Sequence, residues 1–327
     1  MKKASCYATM VVLLAVLAER ADAIMFTTID DPLGVNGSVA TGVEGNKVVG
    51  YYYDANKAVH GFTYDENTYT TFDEPHAATN ISNRGTFVGG LSGDNISGYY
   101  KGATGSNKGF FYNGSTFTPI ADPSAASDTY VYGVSGNSVV GYYLDTHNVL
   151  TGFEYDGSTY SNIIDPSAGT FANQGTVAFG ISGSNTVGFY YDSLDIPHGF
   201  LYDGSHYTTL DDPNATGHIA YGTIAYGVSG GNVVGAYFNG FSAAHGFFYD
   251  GTSYATIEDP LQGQFGTRVL GVDGTTIVGV YYDRNDVAHG FIAQVPETSS
   301  GNLLAAGLIG LSCYARQSAR RRARPRG

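Results

Sequence analysis

The sequence predicts an all-β fold: a six-bladed β-propeller of four-stranded repeats of about 45 residues, closed by its own N-terminal strand. Three observations predict it. A Gly-Phe pair recurs at Gly61-Phe62, Gly109-Phe110, Gly152-Phe153, Gly199-Phe200, Gly246-Phe247 and Gly290-Phe291, at intervals of 48, 43, 47, 47 and 44 residues. The 327 residues include 46 Gly, 27 Tyr and no Trp, a composition suited to short strands and tight turns. The sixth repeat also ends one strand short, whereas the first is preceded by one strand too many.

The chain opens with Met1-Lys2-Lys3, an apolar run from Tyr7 to Ala18, and the small-x-small triplet Ala21-Asp22-Ala23. This is the layout of a secretory signal peptide over residues 1–23, and the run is short for a spanning helix of about 20 residues. The mature chain is expected to begin at Ile24, and Ala21 and Ala23 are the expected processing residues. The extra strand follows at Met25-Phe26-Thr27-Thr28-Ile29, ending in Asp30-Asp31-Pro32.

Each repeat then offers four apolar runs. In the third they are Tyr130–Val134, Val139–Tyr143, Gly152–Tyr155 and Tyr160–Ile164. Ser135-Gly136-Asn137-Ser138 and Asp156-Gly157 are tight-hairpin signals, while the other two connections are longer. One repeat cannot bury its own apolar face, so residues 24–294 are expected to form one stacked domain. If the extra strand completes the sixth sheet, the ring closes and no edge is left open. The alternative is an open stack of β-hairpins, which would need polar caps.

The last segment, 295–327, begins with Val295-Pro296-Glu297, continues through an apolar stretch from Leu303 to Ala315, and ends in six arginines from Arg316 to Arg326. It resembles the PEP-CTERM sorting signal, with Thr298 where that family has a second Pro. The resemblance implies processing near Val295, Pro296 and Glu297 by an exosortase-type enzyme, transient membrane anchoring, and export to the extracellular space or the outer surface of a Gram-negative cell. It also implies association with exopolysaccharide and biofilm. The repeats resemble the HAF-type extracellular repeat family, through His60-Gly61-Phe62, His198-Gly199-Phe200, His245-Gly246-Phe247 and His289-Gly290-Phe291. Lys108 and Thr151 replace the His in units two and three. That resemblance implies an extracellular location and no defined reaction.

Neither cysteine, Cys6 or Cys313, lies in the repeats, which excludes thiol catalysis and cysteine metal sites there. Residues 24–297 hold seven lysines and arginines against 27 of the chain's 29 acidic residues, a net charge of −20. Such a surface repels phosphates and makes a nucleic-acid partner unfavourable.

Alternate connections of a four-stranded blade fall on opposite faces, so the longer loops should gather on one. That face would collect Asp31, Glu74, Asp122, Asp165, Asp212 and Asp259, each before a proline, together with Asp54, Asp145, Asp192 and Asp283. These acids are candidate ligands for Ca²⁺, which takes several oxygens, or for bridging an acidic polysaccharide through Ca²⁺. Asp before Pro is equally a turn device, and no D-x-D-x-D-G loop is present. His60, His198, His245 and His289 recur once per blade, which spreads them around the ring and suits a repeated structural hydrogen bond better than one metal centre. The second-strand tyrosines Tyr51, Tyr52, Tyr99, Tyr142, Tyr190, Tyr237 and Tyr281 are expected to fill the space between blades or to stack on sugars.

No G-x-S-x-G, H-E-x-x-H or Walker loop occurs, and no catalytic residue or cofactor is assigned. Two bases near the inner strands, Arg84 and Arg268, break the repeat and are open to an anion or carboxylate site or to plain surface positions. The reading is a secreted or surface-attached, non-catalytic binding or structural component of the polysaccharide matrix. The alternatives are a glycan-active hydrolase or lyase and a protein-binding scaffold or adhesin.

Overall fold

The computed structural model describes residues 24–65, 67–216, 221–240 and 243–296. The expected leader, with Ala21 and Ala23, and the tail from Glu297 lie outside these residues. Val295 and Pro296 lie inside them and carry no regular structure. The described residues contain no helix, and Ile24–Gln294 forms one compact unit.

That unit is a six-bladed β-propeller. The extra strand is β1 (Met25–Thr28). Blade 1 is β2 (Ser38–Glu44), β3 (Lys47–Tyr53), β4 (Val59–Asp65) and β5 (Thr68–Phe72). Blade 2 is β6 (Gly85–Ser92), β7 (Asn95–Lys101), β8 (Asn107–Tyr112) and β9 (Phe117–Ile120). Blade 3 is β10 (Thr129–Ser135), β11 (Ser138–Leu144), β12 (Leu150–Tyr155) and β13 (Tyr160–Ile163). Blade 4 is β14 (Gly175–Ser182), β15 (Asn185–Tyr191), β16 (Pro197–Tyr202) and β17 (Tyr207–Leu210). Blade 5 is β18 (Thr223–Ser229), β19 (Asn232–Phe238), β20 (Ala244–Tyr249) and β21 (Tyr254–Ile257). Blade 6 is β22 (Thr267–Asp273), β23 (Thr276–Tyr282) and β24 (Ala288–Gln294), with β1 as its fourth strand.

All pairing within blades is antiparallel. Single parallel bridges at Val59/Gly85, Leu150/Gly175 and Ala244/Gly266 link neighbouring blades at the loop face.

The repeated residues explain the repeated packing. The Phe of each Gly-Phe pair is the largest fully buried side chain of its blade: Phe62, Phe110, Phe153, Phe200, Phe247 and Phe291. In five blades the ring lies over the glycine of the neighbouring second strand, at Gly50, Gly98, Gly188, Gly235 and Gly279. A Cβ on Gly50 would stand 2.8 Å from the Phe62 ring and 2.0 Å from the Val39 carbonyl oxygen, so the V-V-G-Y motif is a packing requirement. The first hairpin of each blade turns through a glycine with positive φ, as at Gly136 (φ 57), in the pattern of a type II′ turn.

The ring closes twice. On its outer edge, β1 pairs with β24 in the register Met25↔Gln294 to Thr28↔Phe291. On its inner edge, the last residue of each innermost strand accepts a hydrogen bond from the turn glycine N–H of a neighbouring blade. Glu44 accepts from Gly93, Ser92 from Gly136 (3.1 Å), Ser135 from Gly183 (3.1 Å), Ser182 from Gly230 (3.5 Å) and Ser229 from Gly274 (3.1 Å). Asp273 then accepts from Gly45 (2.8 Å), joining blade 6 to blade 1 in the same way. An open stack would leave these two blades apart.

Candidate functional site

The pre-proline acids fold into their own turns. The backbone N–H of Asp31, Glu74, Asp165, Asp212 and Asp259 donates to the hydroxyl of Ser38, Thr86, Thr176, Thr223 and Thr267, at 2.9–3.1 Å. Their side-chain oxygens accept the N–H two residues on, at Leu33, His76, Ser167, Asn214 and Leu261 (2.6–2.8 Å), and Asp122 does the same with Ser124. This is the Asx-turn chemistry of an acid before proline, extended to the longer Glu74. All six side chains are buried, and burial pushes Asp31, Asp212 and Asp259 up from the usual carboxylate range.

Asp54, Asp145, Asp192 and Asp283 cap the loops between second and third strands. One oxygen of each accepts two backbone N–H groups, from Asn56 and Ala58, His147 and Val149, Leu194 and Ile196, and Asn285 and Val287 (2.7–2.9 Å). These bonds hold Asp145 and Asp283 below the usual range.

The four histidines begin the third strands, and each bridges polar groups of its own blade. Their Nδ1 atoms lie 2.8, 2.9, 2.6 and 2.7 Å from carboxylates of Asp73, Asp211, Glu258 and Asp30, for His60, His198, His245 and His289 respectively. Their rings stack at 5.0–5.2 Å on Tyr52, Tyr190, Tyr237 and Tyr281. Nε2 faces Asp54, Asp192 and Asp283 at 3.7–3.8 Å in three blades and Asn239 at 3.1 Å in blade 5.

The partner acid lies 13 residues after its His in blades 1, 4 and 5; in blade 6, Asp30 of the extra strand supplies it. Where Lys108 and Thr151 replace His, the residues 13 further on are Ala121 and Ile164, so His and acid are lost together.

The structure therefore distributes the candidate acids and histidines around the rim and does not bring them to one centre. Among the described residues, no group of three or more His, Cys, Asp or Glu side chains could hold a metal ion. Calcium takes about 6–8 oxygen ligands, and here each carboxylate serves its own turn.

A different constellation lies on the ring axis. Every innermost strand carries a β-bulge, marked by register shifts at Ala40/Gly42, Val88/Gly90, Val131/Gly133, Ala178/Gly180, Ala225/Gly227 and Val269/Gly271. The bulged residues are Thr41, Gly89, Tyr132, Phe179, Tyr226 and Leu270. A bulge re-aims a side chain, and all six line one axial cavity of about 240 Å³. Nearer the loop face, Val39, Phe87, Val280 and Arg268 line it together with Tyr51, Tyr99 and Tyr282. Burial pushes the phenols of Tyr51, Tyr99 and Tyr132 up, so they stay protonated and able to donate.

Arg268 is the charged residue of this lining. Its guanidinium carbon lies 5.6 Å from the Tyr282 ring centre, and its buried Nε has no hydrogen-bond partner among the described residues. Arg84, the other base that breaks the repeat, is instead satisfied by the carbonyls of Gly102 and Ala103.

The sequence offered a signal for this cavity. The bulge position reads Thr, Gly, Tyr, Phe, Tyr, Leu while the glycine after it never changes, which is how a variable site on a fixed frame reads. The tyrosines divide on the same geometry: Tyr52, Tyr190, Tyr237 and Tyr281 pack between blades, whereas Tyr51 and Tyr99 line the cavity.

No protein-family model and no curated protein matches the sequence. Among solved structures, the six-bladed fucose-recognising lectin of Aleuria aurantia is similar at 11% identity, with a TM-score of 0.47 over 81% of this chain and 93% of the lectin. SapL1 lectin, solved with α-methyl fucoside, is similar at 15% identity and 0.49, over 81% of this chain and 99% of the lectin. TolB from Acinetobacter baumannii is similar at 12% and 0.49, over 77% of this chain and 65% of TolB. Likeness at this level says nothing of what the chain binds.

Proposed function

We propose that this protein is a non-catalytic binding module for exported polysaccharide, secreted or attached at the outer cell surface. The axial cavity carries the reading. It is concave, walled by Tyr and Phe rings, and supplied with phenol hydroxyls at fixed positions. Aromatic faces offer apolar contact and Tyr hydroxyls offer hydrogen bonds, the combination that a sugar ring requires. The leader and the sorting tail read from the sequence support an exported location beside such a polymer. The titratable groups of the lining are tyrosines and one arginine, a set that fits binding better than the carboxylate pair of a glycosidase.

The test is co-sedimentation of the protein with the producing cell's own exopolysaccharide, following both association and polymer length. Association with the polymer length unchanged is expected, and Tyr132→Ala should weaken it by about tenfold through lost stacking and hydrogen bonding. Chelation of divalent cations should leave it unchanged. Shortened polymer would make the protein an enzyme and overturn the proposal, as would failure to associate.

A further inference from the structure

We propose that Arg268 makes the axial cavity a carboxylate-binding site, and that its ligand is an acidic sugar, taken as a single uronate ring or chain end. The class of ligand rests on the polysaccharide reading above; the carboxylate site itself rests on Arg268.

The first observation is positional. Arg268 stands two residues before the bulged residue of the innermost strand of blade 6, and the other five blades place Val39, Phe87, Tyr130, Val177 and Ile224 at that position. Five blades thus use the position for apolar contact and one inserts a cation.

The second observation is the missing partner. Residues 24–297 hold 27 acids and only seven lysines and arginines, so an arginine would ordinarily find a carboxylate. The buried Nε of Arg268 has no hydrogen-bond partner among the described residues. A partly desolvated guanidinium without an anion is unfavourable, and an anion that enters removes that penalty.

The third observation is the wall. The guanidinium carbon stands 5.6 Å from the Tyr282 ring centre, and a guanidinium is the group that matches a carboxylate bidentately. Tyr51, Tyr99 and Phe87 line the cavity as one packed aromatic group, with Phe87 stacked on Tyr99 at 4.7 Å and Tyr51 edge-on to Phe87 at 5.4 Å. The volume of about 240 Å³ is below the range of about 300–1,000 Å³ typical of drug-sized ligands, which suits one ring rather than a length of polymer. The negative surface does not forbid an anion here, because exposed charges beyond about 8 Å are screened at physiological salt.

The probes are D-glucuronate, D-glucose and acetate, titrated against the whole protein and read by calorimetry and tyrosine fluorescence. Glucuronate should bind about tenfold or more tighter than either of the others, since it alone joins a charged hydrogen-bonding group to a ring. Arg268→Leu should bring glucuronate down to the level of glucose, with the β-sheet circular dichroism unchanged. Equal binding of glucuronate and glucose, or an unaffected Arg268→Leu, would overturn the proposal. Acetate binding as well as glucuronate would overturn its sugar half.

Should Arg268→Leu not fold, dicarbonyl labelling of the wild-type protein decides the matter. Glucuronate should protect Arg268 and leave the exposed Arg284 reactive; absence of protection refutes the site. Polymer association that persists in Arg268→Leu would leave the polysaccharide reading standing and remove this one. Glucuronate binding without polymer association would do the reverse.

Discussion

Gly50 shows how little freedom a single position of this chain has. A methyl group there would meet the Val39 carbonyl oxygen at 2.0 Å and the Phe62 ring at 2.8 Å. Gly50→Ala should therefore cost about 3 kcal/mol or more, the upper end of overpacking. Gly231, whose Cβ would meet nothing within 4 Å, should accept Ala within about 0.5 kcal/mol. Denaturant midpoints of the two variants measure the difference, and equal midpoints would refute the packing account. Acidic residues divide as sharply, and their division sets a pH dependence. Burial raises Asp31, Asp212 and Asp259. Each therefore favours the fold most when protonated, and stability rises as pH falls from neutral through their raised values. Asp203 and Asp250, whose carboxylates accept N–H and hydroxyl bonds in exposed turns, are lowered to about 2. Their contribution is present above the ordinary carboxylate value and is lost between about pH 4 and 2. Thermal midpoints across pH should thus peak at mildly acidic pH and fall steeply below about 4. Asp212→Asn should reduce the rise on the neutral side, and a midpoint that is highest at pH 7 and above would contradict the assignment.

At the scale of the element, the His and its acid behave as one unit across two strands. Lys108→His with Ala121→Asp should restore the pair in blade 2, where Tyr100 already occupies the stacking position. The double variant should be about 0.5–1 kcal/mol more stable than the sum of the single changes, a modest gain because the pair is partly exposed. A double-mutant cycle by chemical denaturation reads that coupling, and a coupling near zero would make the shared loss in blades 2 and 3 coincidental. This pairing was legible in the sequence, because the 13-residue offset recurs in blades 1, 4 and 5, the extra strand brings Asp30 to the same place in blade 6, and His and acid are lost together in blades 2 and 3. The strands were legible for the same reason, since alternation and turn residues are local signals repeated six times. The axial cavity was legible only as a variable residue before an unchanging glycine, with nothing to say which way that residue points. A bulge adds one residue to the period of two, so Tyr132, Phe179 and Tyr226 read as ordinary strand positions until the register shows that they face the axis. Nor could local sequence show that the pre-proline acids are buried, since exposure depends on the following blade, whose Ser or Thr accepts their N–H.

Across the whole molecule, the extra strand and the missing strand were the decisive legible facts, because they fix where blade 6 finds its fourth member. What the chain could not show is that closure is doubled, by β1 outside and by the hydrogen-bonded belt inside, and removing one of these tests their division of labour. Deletion of residues 24–32 takes away the four-residue ladder to β24 and the burial of Ile29. It also removes the contact of Phe26 with Phe291 at 5.2 Å and the Asp30 carboxylate that accepts the Gly290 N–H and pairs with His289 Nδ1. One buried Ile and a few net hydrogen bonds amount to about 3–5 kcal/mol. The denaturation midpoint should fall accordingly, while the belt from Gly45 to Asp273 holds the ring together. The bare edge of β24 should also make the truncated protein associate with concentration, as unpaired strand edges do. A synthetic peptide of residues 24–32 added in excess should occupy that edge, raise the midpoint and suppress association, because a ligand that binds only the folded state stabilises it. A truncated protein with an unchanged midpoint would show that the belt alone closes the ring. One that lost its sheet signal altogether would show that the belt cannot hold without β1.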